Sequence, residues 1–252
     1  MIIEYNRPAN EKEALSLLNR DLPRTLPLGG GTILSKSKED IAVVDLQLLG
    51  LNQIKENPDH LLIGSMTTLE SMLNRFGKTS AIGRAILIEA GKNIRGMATL
   101  GGALCSNAGR SALLTVLVAL NVDLVWKPGD RVVDIVTWLG DRRSAHYGKY
   151  IASVRVPSNV KIEFESIGRS PLDQPVICCA ISKAASGGVR IALGGFGETP
   201  VLAYSGSTEG NFLKGVDDCL KNSTDEWASA EYRSEIGAKL ALRIMDALAE
   251  SE

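Results

Sequence analysis

Histidine is nearly absent from this chain, and cysteine shows no pattern. Only His60 and His146 occur, so a histidine-rich metal centre is excluded and a Ser-His-Asp triad would have to use one of these two. Cys105, Cys178, Cys179 and Cys219 are scattered, with no C-x-x-C pair. Neither a zinc knuckle nor an iron–sulfur loop can be built from such neighbours, and the four read as small buried apolar residues. A long apolar run is also missing. The most hydrophobic stretch, residues 112–126, is broken at Asn121 and Asp123, short of the roughly 20 residues that cross a bilayer. The amino terminus, Met1-Ile2-Ile3-Glu4-Tyr5-Asn6-Arg7, has neither the apolar core nor the small-residue cleavage site of a secretory signal, so a cytoplasmic location is expected. Charge is not of one sign either. With 28 basic against 29 acidic side chains, a nucleic-acid partner is not expected.

What is present is a globular composition, 44% apolar and 23% charged, over 252 residues, enough for one large domain or two to three small ones. Residues 1–50 alternate extended and helical patterns. Ile2-Ile3 is extended, Ala14, Leu15, Leu17 and Leu18 form a helical stripe, and residues 25–28 and 41–46 are extended again. From Leu51, two short strands flank the turn signal Asn57-Pro58-Asp59, and Thr67 or Thr68 can cap a helix running to about Phe76. Further helices are expected at residues 82–90 and 112–120, and strands at 123–126 and 151–156. Pro157 then marks a boundary. Beyond it lie three expected strands, a helix near residues 208–220, and a last helix in which Ile236, Leu240, Ile244 and Leu248 recur every fourth residue.

Two glycine-rich segments carry the chemistry. The first, Pro27-Leu28-Gly29-Gly30-Gly31-Thr32, follows a strand and offers bare backbone N–H groups with a hydroxyl, which suits phosphate. Its spacing is neither G-x-G-x-x-G nor G-x-x-x-x-G-K-[ST], so a dinucleotide Rossmann site and a Walker loop are disfavoured. Taken alone it reads first as a tight structural turn. The second, Thr99-Leu100-Gly101-Gly102-Ala103, is expected to be another glycine turn with exposed N–H groups, and two such turns can clasp a pyrophosphate from two sides. Gly194-Gly195-Phe196-Gly197 reads as a strand turn or bulge, and Asp45 as a turn cap.

At this point the chain resembles the flavin-binding subunit of the molybdenum hydroxylases, the group containing carbon monoxide dehydrogenase and xanthine dehydrogenase. The resemblance rests on an ordered set of segments. These are Tyr5-Asn6-Arg7-Pro8, the first glycine loop, Val44-Asp45-Leu46, Ile63-Gly64-Ser65-Met66-Thr67-Thr68, Ile94-Arg95 through Gly102, Val154-Arg155-Val156-Pro157, Ile191-Ala192-Leu193-Gly194-Gly195, and Tyr232-Arg233. It implies an α+β fold, with a two-part FAD-binding domain of the vanillyl-alcohol-oxidase (PCMH) type over residues 1–157, subdivided near residue 50. A small α+β domain of the carbon monoxide dehydrogenase flavoprotein type would occupy residues 158–252.

By position, the resemblance assigns Pro27, Leu28, Gly29, Gly30, Gly31, Thr32, Ile33 and Leu34 to a first FAD loop. Thr99, Leu100, Gly101, Gly102 and Ala103 form a second, and Ile151 lies beside the adenine. FAD would be held non-covalently. It would take electrons from [2Fe-2S] clusters on a small iron–sulfur subunit, fed by a large molybdopterin-binding subunit, and pass them to a small-molecule or protein acceptor. Arg169 matches a basic position of the family and faces either the flavin, an interface or solvent. Three positions depart from the family pattern. Ala103 replaces an asparagine, Ala112 an aspartate that faces the cofactor, and Ser166 a lysine near the flavin ring. Losing two or three hydrogen bonds at roughly 0.5–1.5 kcal/mol each weakens FAD binding by about one to three orders of magnitude. A flavin-free assembly subunit is therefore the alternative reading, with a free-standing flavin oxidase behind it.

Overall fold

A computed structural model of the chain describes residues 1–142, 147–170 and 173–250. They gather into two compact units. One comprises Met1–Met72, Lys92–Ser106 and Val122–Val156, and the other Leu73–Gly91, Asn107–Asn121 and Pro157–Glu252.

The first unit opens with β1 (Ile2–Asn6), α1 (Glu11–Leu18), β2 (Thr25–Leu28) and β3 (Ile41–Asp45). β3 is the middle strand, parallel to both β1 and β2. All five of its residues are buried, which is what an unbroken Ile-Ala-Val-Val run in a central parallel strand accomplishes. Pro27 lies in β2, an edge strand, where a missing N–H is tolerated. Asn10 caps α1 by accepting from the Glu13 amide, and Ala14 and Leu18 turn inward to meet Val44, Leu46, Met66, Tyr150 and Ala152.

The chain then runs through β4 (Ile54–Glu56), β5 (His60–Gly64), α2 (Leu69–Phe76), α3 (Ala81–Glu89), α4 (Lys92–Arg95), α5 (Leu100–Ser106), α6 (Ala112–Leu120), β6 (Asp123–Lys127), β7 (Arg131–Asp134), α7 (Ile135–Gly140) and β8 (Tyr150–Pro157). A five-stranded sheet in the order β4-β5-β8-β6-β7 completes the first unit. β7 and α7 were not expected from the sequence. Asp134 links them, ending the strand and capping the helix through the Thr137 amide at 2.9 Å.

The second unit is built on β9 (Val160–Ile167), β10 (Ile177–Ala184), β11 (Gly188–Gly194) and β12 (Val201–Ser207), an antiparallel meander followed by α8 (Phe212–Leu220) and α9 (Ala230–Glu250). Strand alternation sorts its two faces. Ile177, Cys179 and Ile181 of β10 join Val216, Leu220, Leu240 and Ile244 of α8 and α9 in one core. Cys178 and Ser182 face the other way, bonding Thr115 at 3.4 Å and the Ala119 carbonyl at 2.6 Å, both on α6. All nine residues of α6 are buried, and each large one contributes about 1.5–3 kcal/mol. The chain passes from one unit to the other between Val156 and Pro157. The unit that follows also takes in α3 and α6, which the sequence reading had kept in the preceding domain.

Arg233 organises one end of this second unit. It is wholly buried, donates to the carbonyls of Val176, Ser223, Ala228 and Gly195, and holds Asp225 with both carboxylate oxygens at 2.8 and 2.9 Å. Arg233 of the Tyr232-Arg233 segment thereby has a structural role.

Candidate functional site

The first glycine segment emerges from the end of β2. The Leu28 carbonyl still accepts from Leu46, and after it the chain leaves the sheet through Gly29, Gly30, Gly31, Thr32 and Ile33 before a short 3-10 turn, Leu34–Lys36. Gly31 has φ +69°, left-handed backbone that glycine adopts without strain. Its carbonyl accepts from Ser35 at 3.2 Å. Among the described residues, none accepts a hydrogen bond from the amides of Gly30, Gly31, Thr32 or Ile33. Four successive uncommitted N–H groups around one left-handed residue are the elements of an anion-binding nest.

The other two glycines serve a different purpose from the one read in the sequence. A Cβ on Gly30 would sit 1.7 Å from the Met97 carbonyl oxygen, and one on Gly29 would sit 2.5 Å from Thr99 Oγ1. Both positions need glycine because residues 97–99 press against them. A Cβ on Gly31 would meet only Leu28 Cδ1, at 3.7 Å. The two glycine segments are thus brought together directly, as one loop resting on the other.

The second segment is not an open turn. Thr99 caps α5, its hydroxyl accepting from the Gly102 amide at 3.2 Å, and the helix begins at Leu100. The expected exposed N–H groups are already committed. Leu100 donates to the Thr67 carbonyl at 2.9 Å, Gly101 to that of Ser65 at 2.8 Å, and Ala103 to that of Thr99 at 2.8 Å. Gly101 is required by this close pairing, since a Cβ there would lie 2.9 Å from Ser65 Cβ. Polar capacity toward an anion therefore belongs to the first loop, and the second forms its floor.

The sequence places Ser65 and Thr67 in a segment of the resemblance, and Thr67 as a possible helix cap, but assigns neither to the cofactor site. They are 3% and 1% exposed, and their hydroxyls have no hydrogen-bond partner among the described residues. Buried polar atoms left unsatisfied are rare enough to mark a place where a polar group is wanted. The alternation of hydroxyl residues just past β5 was the available signal.

Of the remaining expected residues, Ile151 is buried in β8 opposite Trp126, and its neighbour Ala152 accepts from the Ser65 amide at 2.9 Å. Ala103 is buried in α5. Ala112 opens α6, and Ser166 lies in β9 opposite Cys178. Arg169 stacks on Trp227 at 4.4 Å, and Arg110 stacks on the same ring at 4.1 Å. Asp45 does cap a turn, accepting from the Gln47 amide at 2.9 Å and from the Tyr5 hydroxyl. That carboxylate raises the tyrosine's pKa. Gly195, with φ +104°, turns the chain at the end of β11. His60 bonds Asp59 in the β4–β5 hairpin, and His146 lies outside the described residues. Cys178 and Cys179 are buried as expected, Cys219 is half-buried, and Cys105 is exposed, contrary to expectation.

The residues present fit the phosphate end of a dinucleotide. The first loop offers free amides and a left-handed glycine on a rigid floor, although the second adds fewer donors than its composition suggested. Residues 1–159 match the family described as the FAD binding domain in molybdopterin dehydrogenase. YgfM of Escherichia coli K12, described as an uncharacterized protein, is 24% identical over 242 residues, covering 92% of this chain and 91% of that one. Among solved structures, a chain of the reconstituted CO dehydrogenase from Oligotropha carboxidovorans superposes with a TM-score of 0.81 at 20% identity, over 96% of each chain. A chain of quinoline 2-oxidoreductase from Pseudomonas putida 86 gives 0.78 at 19% identity, over 100% of this chain and 98% of that one. These likenesses extend one mixed α+β fold over nearly the whole length. Among the described residues, no helix is long and apolar enough to cross a membrane. With the family match spanning well over half of its residues, the chain belongs to the FAD-binding domain family of the molybdopterin dehydrogenases.

Proposed function

We propose that this chain is the FAD-carrying, electron-transferring subunit of a multi-subunit molybdenum hydroxylase or dehydrogenase. The observation that carries the reading is the set of uncommitted amides from Gly30 to Ile33, inside the family-matched stretch and seated on residues 97–99. In this reading those amides and the Thr32 hydroxyl bind the pyrophosphate. Pro27, Leu28 and Leu34 shape the loop, Thr99 to Ala103 form its floor, and Ile151 lies toward the adenine. Bound FAD supplies the ability to accept single electrons and release a pair. The protein's part is to hold it non-covalently, with its ring within reach of a partner's [2Fe-2S] cluster and of an acceptor. No side chain is assigned a role as acid or base.

In this reading electrons reach the flavin from an iron–sulfur subunit that is fed by a molybdopterin-binding subunit. Purification from the native host under mild conditions tests this. Recovery of both partners in fixed ratio supports the reading, and a lone chain that oxidises a small organic substrate by itself contradicts it. One observation favours the flavin-free alternative, an assembly subunit. The amides of the second segment are internally satisfied, and positions 103, 112 and 166 carry alanine, alanine and serine in place of the polar side chains the resemblance leads one to expect. A host-purified complex containing this chain but no flavin would establish that alternative.

A further inference from the structure

The floor under the first loop is itself anchored. Residues 94–100 are tied to residues 67–70 by the Leu69 amide on the Ala98 carbonyl at 2.9 Å, a bridge between Thr68 and Thr99, and the Leu100 amide on Thr67. At the near end of this seam stands an ion pair. Arg95 ends α4, is only 8% exposed, and donates through Nε to Glu70 Oε2 at 2.8 Å. Glu70 lies in the first turn of α2, where a carboxylate also suits the helix dipole. From Arg95 the chain closes at once into a tight turn, with the amides of Met97 and Ala98 both reaching the Ile94 carbonyl, at 3.0 and 2.7 Å. The Met97 carbonyl that blocks any side chain at Gly30 belongs to this turn.

We propose that Arg95 is a positioning residue for the flavin loop. Paired with Glu70, it holds the 94–98 turn at the height that fixes Gly29 and Gly30, and so sets the direction of the free amides from Gly30 to Ile33. This inference rests on the FAD reading above. The physical argument is one of clearance. Gly30 has no room toward Met97, and close-packed contacts of this kind transmit displacement rather than absorb it, so a small shift of the turn must move the loop. Removing the guanidinium also leaves the partly buried Glu70 without its counter-charge, which favours such a shift. Arg95 itself touches no ligand in this account.

The test uses the full chain with Arg95→Gln, Arg95→Lys and the milder Glu70→Gln, at a temperature well below each variant's unfolding midpoint. Two readouts are taken: the FAD dissociation constant by titration, and amide hydrogen exchange in the flavin-free chain. Arg95→Gln is expected to weaken FAD at least tenfold and to speed exchange over residues 28–34 while leaving the amides of β10 and β11 at wild-type rates. Glu70→Gln should do the same to a smaller degree, and Arg95→Lys should recover part of the affinity. Wild-type affinity and exchange in folded Arg95→Gln would overturn the inference, as would a uniform rise in exchange across both units. If the wild-type chain takes up no FAD, the reading of the preceding section fails, and the exchange rates alone then decide whether Arg95 shapes the loop.

Discussion

Gly30 and Met97 are in backbone contact so close that a methyl group on Gly30 would fall 1.7 Å from the Met97 carbonyl oxygen. The contact explains why a glycine stands there without appeal to any ligand, and it makes the loop's shape a property of the folded protein. Gly30→Ala should therefore cost stability, by about 1–3 kcal/mol for forced overpacking, and reduce flavin uptake with it. Gly140→Ala, with no described residue within 4 Å of the added carbon, is the matched control and should melt no lower than wild type. Thermal unfolding of both variants checks this.

Gly31 separates binding from folding more cleanly. Its φ of +69° disfavours a side chain, but little crowds the site. Gly31→Ala should lose about 1–2 kcal/mol from left-handed backbone strain, and Gly31→Asn less. Because the strain lies among the free amides, flavin affinity should fall further than stability does. Parallel melting and FAD titration would show the difference, and equal losses would place the anion site elsewhere.

Much of this organisation was legible in the sequence, for reasons that particular residues make plain. Burial of Ile41 to Val44 on both faces, the α1 stripe at Ala14 and Leu18, and the α6 run were all written in apolar periodicity. The second glycine segment was misread. Gly101 and Gly102 look like a turn, yet they lie in the first turn of α5, and Gly101 is glycine because Ser65 lies against it. That reason depends on a residue far away in the chain and has no local signature. The same holds for α3 and α6, whose union with β9 to β12 is a long-range contact, and for the Arg95–Glu70 pair.

Arg233 should be indispensable to the second unit. A wholly buried guanidinium with four carbonyl acceptors and a two-oxygen grip on Asp225 leaves all of them unsatisfied if it is removed. Arg233→Met should cost about 3–5 kcal/mol, the range for breaking a buried charged pair by deleting one partner. Burial alone would raise the Asp225 carboxyl, but hydrogen bonds from Arg233 and the amides of Trp227 and Ala228 outweigh it and hold the pKa below the ordinary value. The pair's stabilisation is thus present above the ordinary carboxylate pKa and is lost as pH falls through the depressed one. Chemical denaturation of wild type and Arg233→Met should accordingly converge in acid.

Glu89 gives the opposite pH dependence. Burial pushes its carboxyl up despite hydrogen bonds from Ser111 and the amides of Leu113 and Ala112. A raised native pKa means the folded chain binds the proton more tightly. Its contribution is then most favourable below the ordinary carboxyl range and declines as pH rises through the raised value. Glu89→Gln removes the titration, so its stability relative to wild type should improve from pH 4 to pH 8. Urea midpoints at several pH values check the sign.

The most direct test of the central claim is the flavin itself. The purified chain, incubated with excess FAD and passed through a desalting column, should be yellow with close to one flavin per chain, and acid precipitation should release all of it into the supernatant. A folded chain that emerges colourless, or one whose colour stays in the acid pellet, would contradict non-covalent FAD binding at the Gly29–Thr99 contact.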